Sequence, residues 1–129
     1  MRDIPEGTTF IRVPTCDGVV VINTDDIIRV QAISNYSKLF FANGNTAMVS
    51  GKTLVVAKVL RWFEEKLVAD NFVRVHRGHL VNKKFIREYI NGAVYAGQGG
   101  KVFLSNGELI EVSKRKRPFF LKNWYQPAA

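Results

Sequence analysis

Several groups in this 129-residue sequence carry side chains able to do chemistry, and their spacing decides which chemistry each can support. Gly51-Lys52-Thr53 has the ending of a phosphate-binding P-loop, in which backbone amides and a lysine cradle the phosphates of a nucleotide. Such a loop opens with a glycine five residues earlier, where Thr46 stands, and the strand-helix alternation of a parallel NTPase sheet is missing. Lys52 is then either an ordinary helix start or a neighbour of free amides that hold one DNA phosphate. His76 and His79 form a His-x-x-His pair, but no Cys, Asp or Glu adjoins them to complete a metal shell, and Arg77 between them repels a cation. The acid pairs Asp25-Asp26 and Glu64-Glu65 are chain neighbours, which point in different directions on a strand or a helix and so do not work as a general acid and base. Cys16 is the single cysteine; it has no second thiol for a disulfide or zinc site and no basic neighbour to favour a thiolate. No nucleophile, base and orienting group combine, so neither an enzyme nor a bound cofactor or metal is expected.

Three other segments join hydrogen-bonding groups to positive charge. In Ser34-Asn35-Tyr36-Ser37-Lys38, Lys38 offers a point charge and Asn35 a two-pronged contact to adenine; Asn35 and Ser37 equally suit a turn held by its own side chains. In Arg74-Val75-His76-Arg77-Gly78-His79, alternation puts Val73 and Val75 on one strand face and Arg74 and His76 on the other. The charged face is expected in solvent, with Arg77 at the strand end able to grip guanine or phosphate; a basic strand edge that resists aggregation is the alternative. Ser113-Lys114-Arg115-Lys116-Arg117 repels itself unless water or an anion intervenes, and the apolar Phe119, Phe120, Leu121 and Trp124 behind it imply an ordered, docked segment.

Charge distribution points the same way. Met1 to Asp70 carries eight bases and eight acids, whereas Asn71 to Ala129 carries eleven bases against three acids, so the net charge of +8 belongs to the second half. Such a field favours a polyanionic partner. With 47% apolar residues, the chain suits one compact domain over residues 1–129, with its core at about 19–124. Neither a membrane-spanning apolar run nor a signal-peptide core is present, and a cytoplasmic location is expected.

These segments need a scaffold, and turn chemistry supplies its outline. Asp17-Gly18, Asn43-Gly44, Asn91-Gly92 and Asn106-Gly107 each separate runs rich in Val, Ile, Phe and Tyr, as hairpin turns at positive φ do. The strands expected around them run at about Thr8 to Val13, Gly18 to Asn23, Ile27 to Ser34, Lys38 to Ala42, Thr46 to Val49, Phe72 to His76, Ile86 to Ala96, Lys101 to Ser105 and Glu108 to Val112. One amphipathic helix, capped by Thr53, is expected where Leu54, Val56, Val59, Leu60, Phe63 and Leu67 recur at helical spacing. A short second helix is expected after Val112, with Ser113 as cap; Pro118 would then remove a backbone donor from its second turn, unless the helix begins near that proline. No internal repeat of solenoid length is visible, and Gln126 to Ala129 reads as a frayed tail.

Taken together, Phe72-Val73-Arg74-Val75-His76-Arg77-Gly78-His79-Leu80-Val81-Asn82, Asn35-Tyr36-Ser37-Lys38-Leu39 upstream, and Gly107-Glu108-Leu109-Ile110-Glu111-Val112-Ser113-Lys114-Arg115 downstream resemble the LytTR DNA-binding domain, over roughly Val19 to Trp124. The resemblance implies a mainly β fold of elongated, stacked antiparallel sheets with one central amphipathic helix and a short C-terminal helix, whose loops enter successive major grooves of duplex DNA. Carried over by position, Ser37, Lys38, Arg77, Lys114 and Arg115 would contact DNA, while Tyr36, His76 and Asn82 would mainly shape the loops. With the basic groups read above, the DNA-binding set is Asn35, Tyr36, Ser37, Lys38, Arg74, His76, Arg77, Lys114, Arg115 and Lys116. Gly78-His79 and Lys114 depart from the family's commoner residues, and lysine presents a point where arginine presents a fork.

The function this implies is sequence-specific binding of double-stranded DNA, at repeated sites, by a bacterial transcription regulator of the two-component, response-regulator kind. A homodimer on DNA and an upstream receiver or sensor domain outside this chain are compatible with it. The alternative is a β-rich signalling interaction module that uses the basic face for an acidic protein or RNA, although an exposed aromatic platform for single strands is not evident.

Overall fold

A computed structural model describes residues 9–42, 53–67, 71–91 and 99–124. The elements run β1 (Phe10–Thr15), β2 (Gly18–Asn23), β3 (Ile27–Ile33), β4 (Tyr36–Phe41), β5 (Thr53–Val56), α1 (Leu60–Leu67), β6 (Phe72–His76), β7 (His79–Asn82), β8 (Ile86–Asn91), β9 (Gly100–Leu104), β10 (Leu109–Glu111) and α2 (Arg117–Trp124). All sheet pairings are antiparallel: a β1-β2 hairpin, a five-stranded sheet in the order β5-β4-β3-β7-β6, and a three-stranded sheet in the order β10-β9-β8.

The five-stranded sheet is covered on both faces, which its side-chain alternation dictates. Val30, Leu39 and Leu80 lie in register across β3, β4 and β7 and pack with Ile11, Val13 and Ile22 of the hairpin and with Leu60, Phe63 and Leu67 of α1. On the opposite face Val73, Val75 and Val81 pack with Val102, Leu104 and Ile110 of the three-stranded sheet and with Phe120 of α2. Each large side chain so buried stabilises the stack by about 1.5 to 3 kcal/mol. The result is three antiparallel sheets with two helices, the mainly β fold expected.

Two local expectations are corrected. Thr53 to Val56 form a strand and Thr53 caps no helix, because Leu54, Val55 and Val56 pair with Leu39, Lys38 and Ser37 at the sheet edge. Val56 stands at helical spacing from Leu60 and Phe63, but Leu54 and Val56, two apart, share one strand face, and packing against β4 favours the extended form for this β-branched run. The helix begins at Leu60 and buries Leu60, Phe63 and Leu67. The second correction is β7, which lies between β3 and β6, after a turn of only two residues at Arg77-Gly78. The Asn43-Gly44 turn, the Thr46 to Val49 strand, Gly51-Lys52, the part of the Ile86 to Ala96 strand beyond Asn91, with the turn at Gly92, and the tail from Gln126 lie outside the described residues.

At one end of β3 and β7, two short 3-10 turns share one design. Asn23 precedes Thr24–Asp26 and accepts from the Asp25 amide at 2.9 Å; Asn82 precedes Lys83–Phe85 and accepts from the Lys84 amide at 3.1 Å. Asn82 is 1% exposed, and its Nδ2 donates to the Ile27 carbonyl at 3.0 Å and to that of Thr24 at 3.5 Å, tying the two turns together. Asn82 thus braces the end of β7 remote from Arg77.

Candidate nucleic-acid interface

At the other end of the same strands three turns come side by side. The β3–β4 turn contains Ser34, in the left-handed region at φ 54°, and exposed Asn35. The β6–β7 turn is Arg77-Gly78, and Ala32 at the end of β3 donates its amide to the Gly78 carbonyl at 2.9 Å. The turn after β10 starts at Ser113, whose amide donates to the Val75 carbonyl at 2.9 Å, two residues before Arg77. Backbone hydrogen bonds therefore set the three sequence segments in a row, with Arg77 in the middle.

The third turn is built to hold cations outward. Ser113 Oγ accepts from the Lys116 amide at 3.1 Å and its carbonyl accepts from Lys116 and Arg117, so Ser113 caps the bend that leads into α2. Lys114 and Arg115 are exposed on this bend and Lys116 is half-buried. Pro118 falls in the first turn of α2, where no intrahelical amide bond is lost, and Phe120 anchors the helix in the second core. Arg77 is exposed and has no ion-pair partner among the described residues.

The ten expected site residues separate by environment. Asn35 and Tyr36 are exposed, and Lys38, half-buried, extends over the Phe40 ring with Nζ 5.3 Å from the centroid. Ser37 is fully buried and donates to the Lys58 carbonyl at 2.7 Å, so its expected DNA contact is replaced by a structural one. Alternation explains this, since Ser37 shares the core face of β4 with Leu39. Arg74 is likewise withdrawn from the solvated face expected for it. Its Nη1 donates to Glu64 Oε1 of α1 at 2.7 Å, Nε donates to the His76 carbonyl at 3.0 Å, and Nη2 donates to the Arg77 carbonyl. His76 shapes the same turn by accepting from the Gly78 amide on Nδ1 at 3.0 Å.

Arg29, which the sequence did not single out, ties two layers together nearer the Asn82 end. Arg29 is 6% exposed and forms a two-pronged pair with Glu108, Nε to Oε1 at 2.9 Å and Nη2 to Oε2 at 2.8 Å. Its Nη1 donates to Gln31 at 2.9 Å, and its guanidinium lies 3.7 Å from the centre of the Phe40 ring. The pair joins the five-stranded sheet to the β9–β10 turn, and the hydrogen bond from Arg29 holds the Glu108 carboxyl below its ordinary value. A lone arginine inside Ile27-Ile28-Arg29-Val30 was the available signal. His79 is half-buried; burial, then the nearby charges of His76 and Arg29, lower its imidazole to about 4 against opposing Glu111 and Glu108. Its Nδ1 has no hydrogen-bond partner, and among the described residues no three His, Cys, Asp or Glu cluster as metal ligands would.

Comparison with known proteins bears on these turns. The family model of the LytTr DNA-binding domain matches residues 17–124. Among solved structures, the LytTr DNA-binding domain of a Bacillus cereus protein described as a methyl-accepting/DNA response regulator superposes with a TM-score of 0.68 at 21% identity, covering 92% of this chain and 98% of that one. No curated protein sequence matches.

Proposed function

The chain belongs to the LytTR DNA-binding domain family, and from that premise we propose that it binds specific sites in duplex DNA on behalf of a bacterial transcription regulator. The observation that carries this reading is the row of three turns, two of them carrying Arg77 and the Lys114-Arg115 pair, fixed by the Ala32–Gly78 and Ser113–Val75 backbone bonds. Phosphate contacts position a protein on DNA, whereas contacts to base edges specify the site. Arg77, central and exposed, is assigned to a base edge in the major groove, where a guanidinium fork matches guanine. Lys114 and Arg115 are assigned to the groove alongside, Asn35, Tyr36 and Lys38 to the flank, and Lys116 to a phosphate. Ser37 and Arg74 act from within the scaffold.

The family is a DNA-binding one, and no catalytic role is assigned. No described helix is long and apolar enough to cross a membrane. The reading includes a single domain over residues 1–129, a cytoplasmic setting, a partner domain that receives the signal, and pairing of two copies on repeated sites.

Selection of bound duplexes from a random pool, followed by competition with single strands, RNA and scrambled duplex, tests the proposal. A defined duplex motif is expected, with a slope of log affinity against log salt of about −4 to −6 if roughly five to seven phosphates are neutralised. Preference for RNA, or a slope near zero, would replace this reading with that of an interaction module for RNA or for an acidic protein.

A further inference from the structure

We infer that Glu64 and Arg74 are positioning residues that set the site selectivity of the Arg77 turn from inside the fold. This rests on the DNA-binding reading and adds to it a residue of α1, on the far side of the sheet from the three-stranded layer.

A two-residue turn fixes the direction of its side chains only if its own backbone groups are held. The three carbonyls from His76 to Gly78 are all engaged: Arg74 donates to those of His76 and Arg77, and Ala32 donates to that of Gly78. The Gly78 amide donates to His76 Nδ1. Only the side chain of Arg77 leaves the turn for solvent. The strand register shifts between Arg74 and His76, next to this turn.

Arg74 can splint two carbonyls because a guanidinium is planar and presents its N–H groups in fixed directions. Its plane must itself be oriented, and Glu64 does so with a 2.7 Å ion pair whose side chains are only 15% and 32% exposed. Glu64 cannot drift, since Leu60, Phe63 and Leu67 seat α1 in the first core. Helix, carboxylate, guanidinium and turn form one rigid path. Without it, Arg77 samples more directions and meets the correct base edge and a wrong one with more equal success.

The test compares wild type with Glu64→Gln, Glu64→Ala, Arg74→Lys and Arg74→Gln on two duplexes of equal length, the one selected by the wild type and its scramble. Glu64→Ala and Arg74→Lys are expected to lower the selected-to-scrambled affinity ratio by about tenfold, the equivalent of one charge-assisted hydrogen bond. Glu64→Gln, which keeps an acceptor, is expected to lose less. The salt slope on the scramble is expected to stay unchanged in Arg74→Gln, whereas a direct phosphate contact would lower its magnitude by about 1. Hydrogen exchange read without DNA is expected to speed up at the Gly78 amide in Glu64→Ala while amides in β3 and β4 keep their rates. An unchanged ratio in Glu64→Ala and Arg74→Lys, a reduced slope in Arg74→Gln, or unaltered exchange at Gly78 each overturns the inference. If the wild type itself selects no duplex, the DNA-binding reading fails and the exchange measurement still decides whether the splint exists.

Discussion

The two ends of the five-stranded sheet solve opposite problems with the same strands. At the end where β7 stops, Asn23 and Asn82 close two 3-10 turns, and the charges are mixed: Asp25 and Asp26 stand with Lys83 and Lys84, and Lys84 comes within 4.0 Å of Asp25. At the end where β7 starts, the turns carry Arg77, Lys114, Arg115 and Lys116 and no acid. Both ends bond their backbone inward, but the turns of Arg77 and of Lys114 to Lys116 carry cations without an acid of their own. The difference teaches that the basic half of the chain is not a basic half of the molecule: strand direction gathers some of its cations in two neighbouring turns and sets others beside the acids of the opposite end.

The sharpest way to break this comparison is Asn82→Ala. It strands the buried Ile27 carbonyl and removes the cap of the part-buried Lys84 amide, and stability is expected to fall by about 3 kcal/mol in urea unfolding. The folded fraction is expected to keep its ratio of selected to scrambled DNA; a changed ratio would mean that the two ends are not separable. Next in size, Arg77→Ala is expected to weaken binding of the selected duplex by about 1 to 3 kcal/mol. Its unfolding free energy should stay within about 0.5 kcal/mol of wild type, as befits an exposed turn residue. A smaller and different loss is expected from Lys116→Ala: all duplexes weaken alike and the salt slope shrinks by about 1, with no change in preferred sequence. A change of preferred sequence would put Lys116 among the base readers.

Acidity sharpens the contrast from the stability side. His79, at about 4 in the fold against an ordinary 6.5, takes up its proton in the unfolded chain first. Stability is therefore expected to decline as pH falls from about 6.5 towards 4 and to level off once the folded imidazole is also charged. Glu108 is shifted the other way relative to its charge, so its contribution is present above about 4.5 and is lost as pH falls through its lowered folded value. Both act towards acid destabilisation, in adjoining windows. In His79→Gln the decline between 6.5 and 4 should flatten; an unaltered profile would assign it elsewhere.

Much of the scaffold was legible because alternation and turn residues agree. Gly18–Asn23 and Phe72–His76 have the bounds their patterns give, and Asp17-Gly18 and Asn106-Gly107 sit at hairpin turns. The strand at Thr53–Val56 was hidden because Val56 extends the helical spacing of α1 backwards, and only pairing with β4 decides between the two. The exposure of Arg77, Lys114 and Arg115 was legible because cations in turns have few inward uses. Ser37 and Arg74 were not, because their roles depend on partners the chain pattern does not display: a carbonyl at Lys58 and a carboxylate ten residues upstream on a helix. The Asn23 and Asn82 turns likewise show a kinship visible only once both are folded and joined.

The clasp between Arg29 and Glu108 bridges 79 positions of chain. A ribosome adding about 5 to 20 residues per second leaves Arg29 without its carboxylate for roughly 4 to 16 seconds. For that interval a guanidinium bound for the interior must stay hydrated, so the middle sheet holds one wet seam while it is being made. The last strands to emerge both dry that seam and carry Lys114 and Arg115 to their places, which ties the completion of the nascent fold to the assembly of its basic edge.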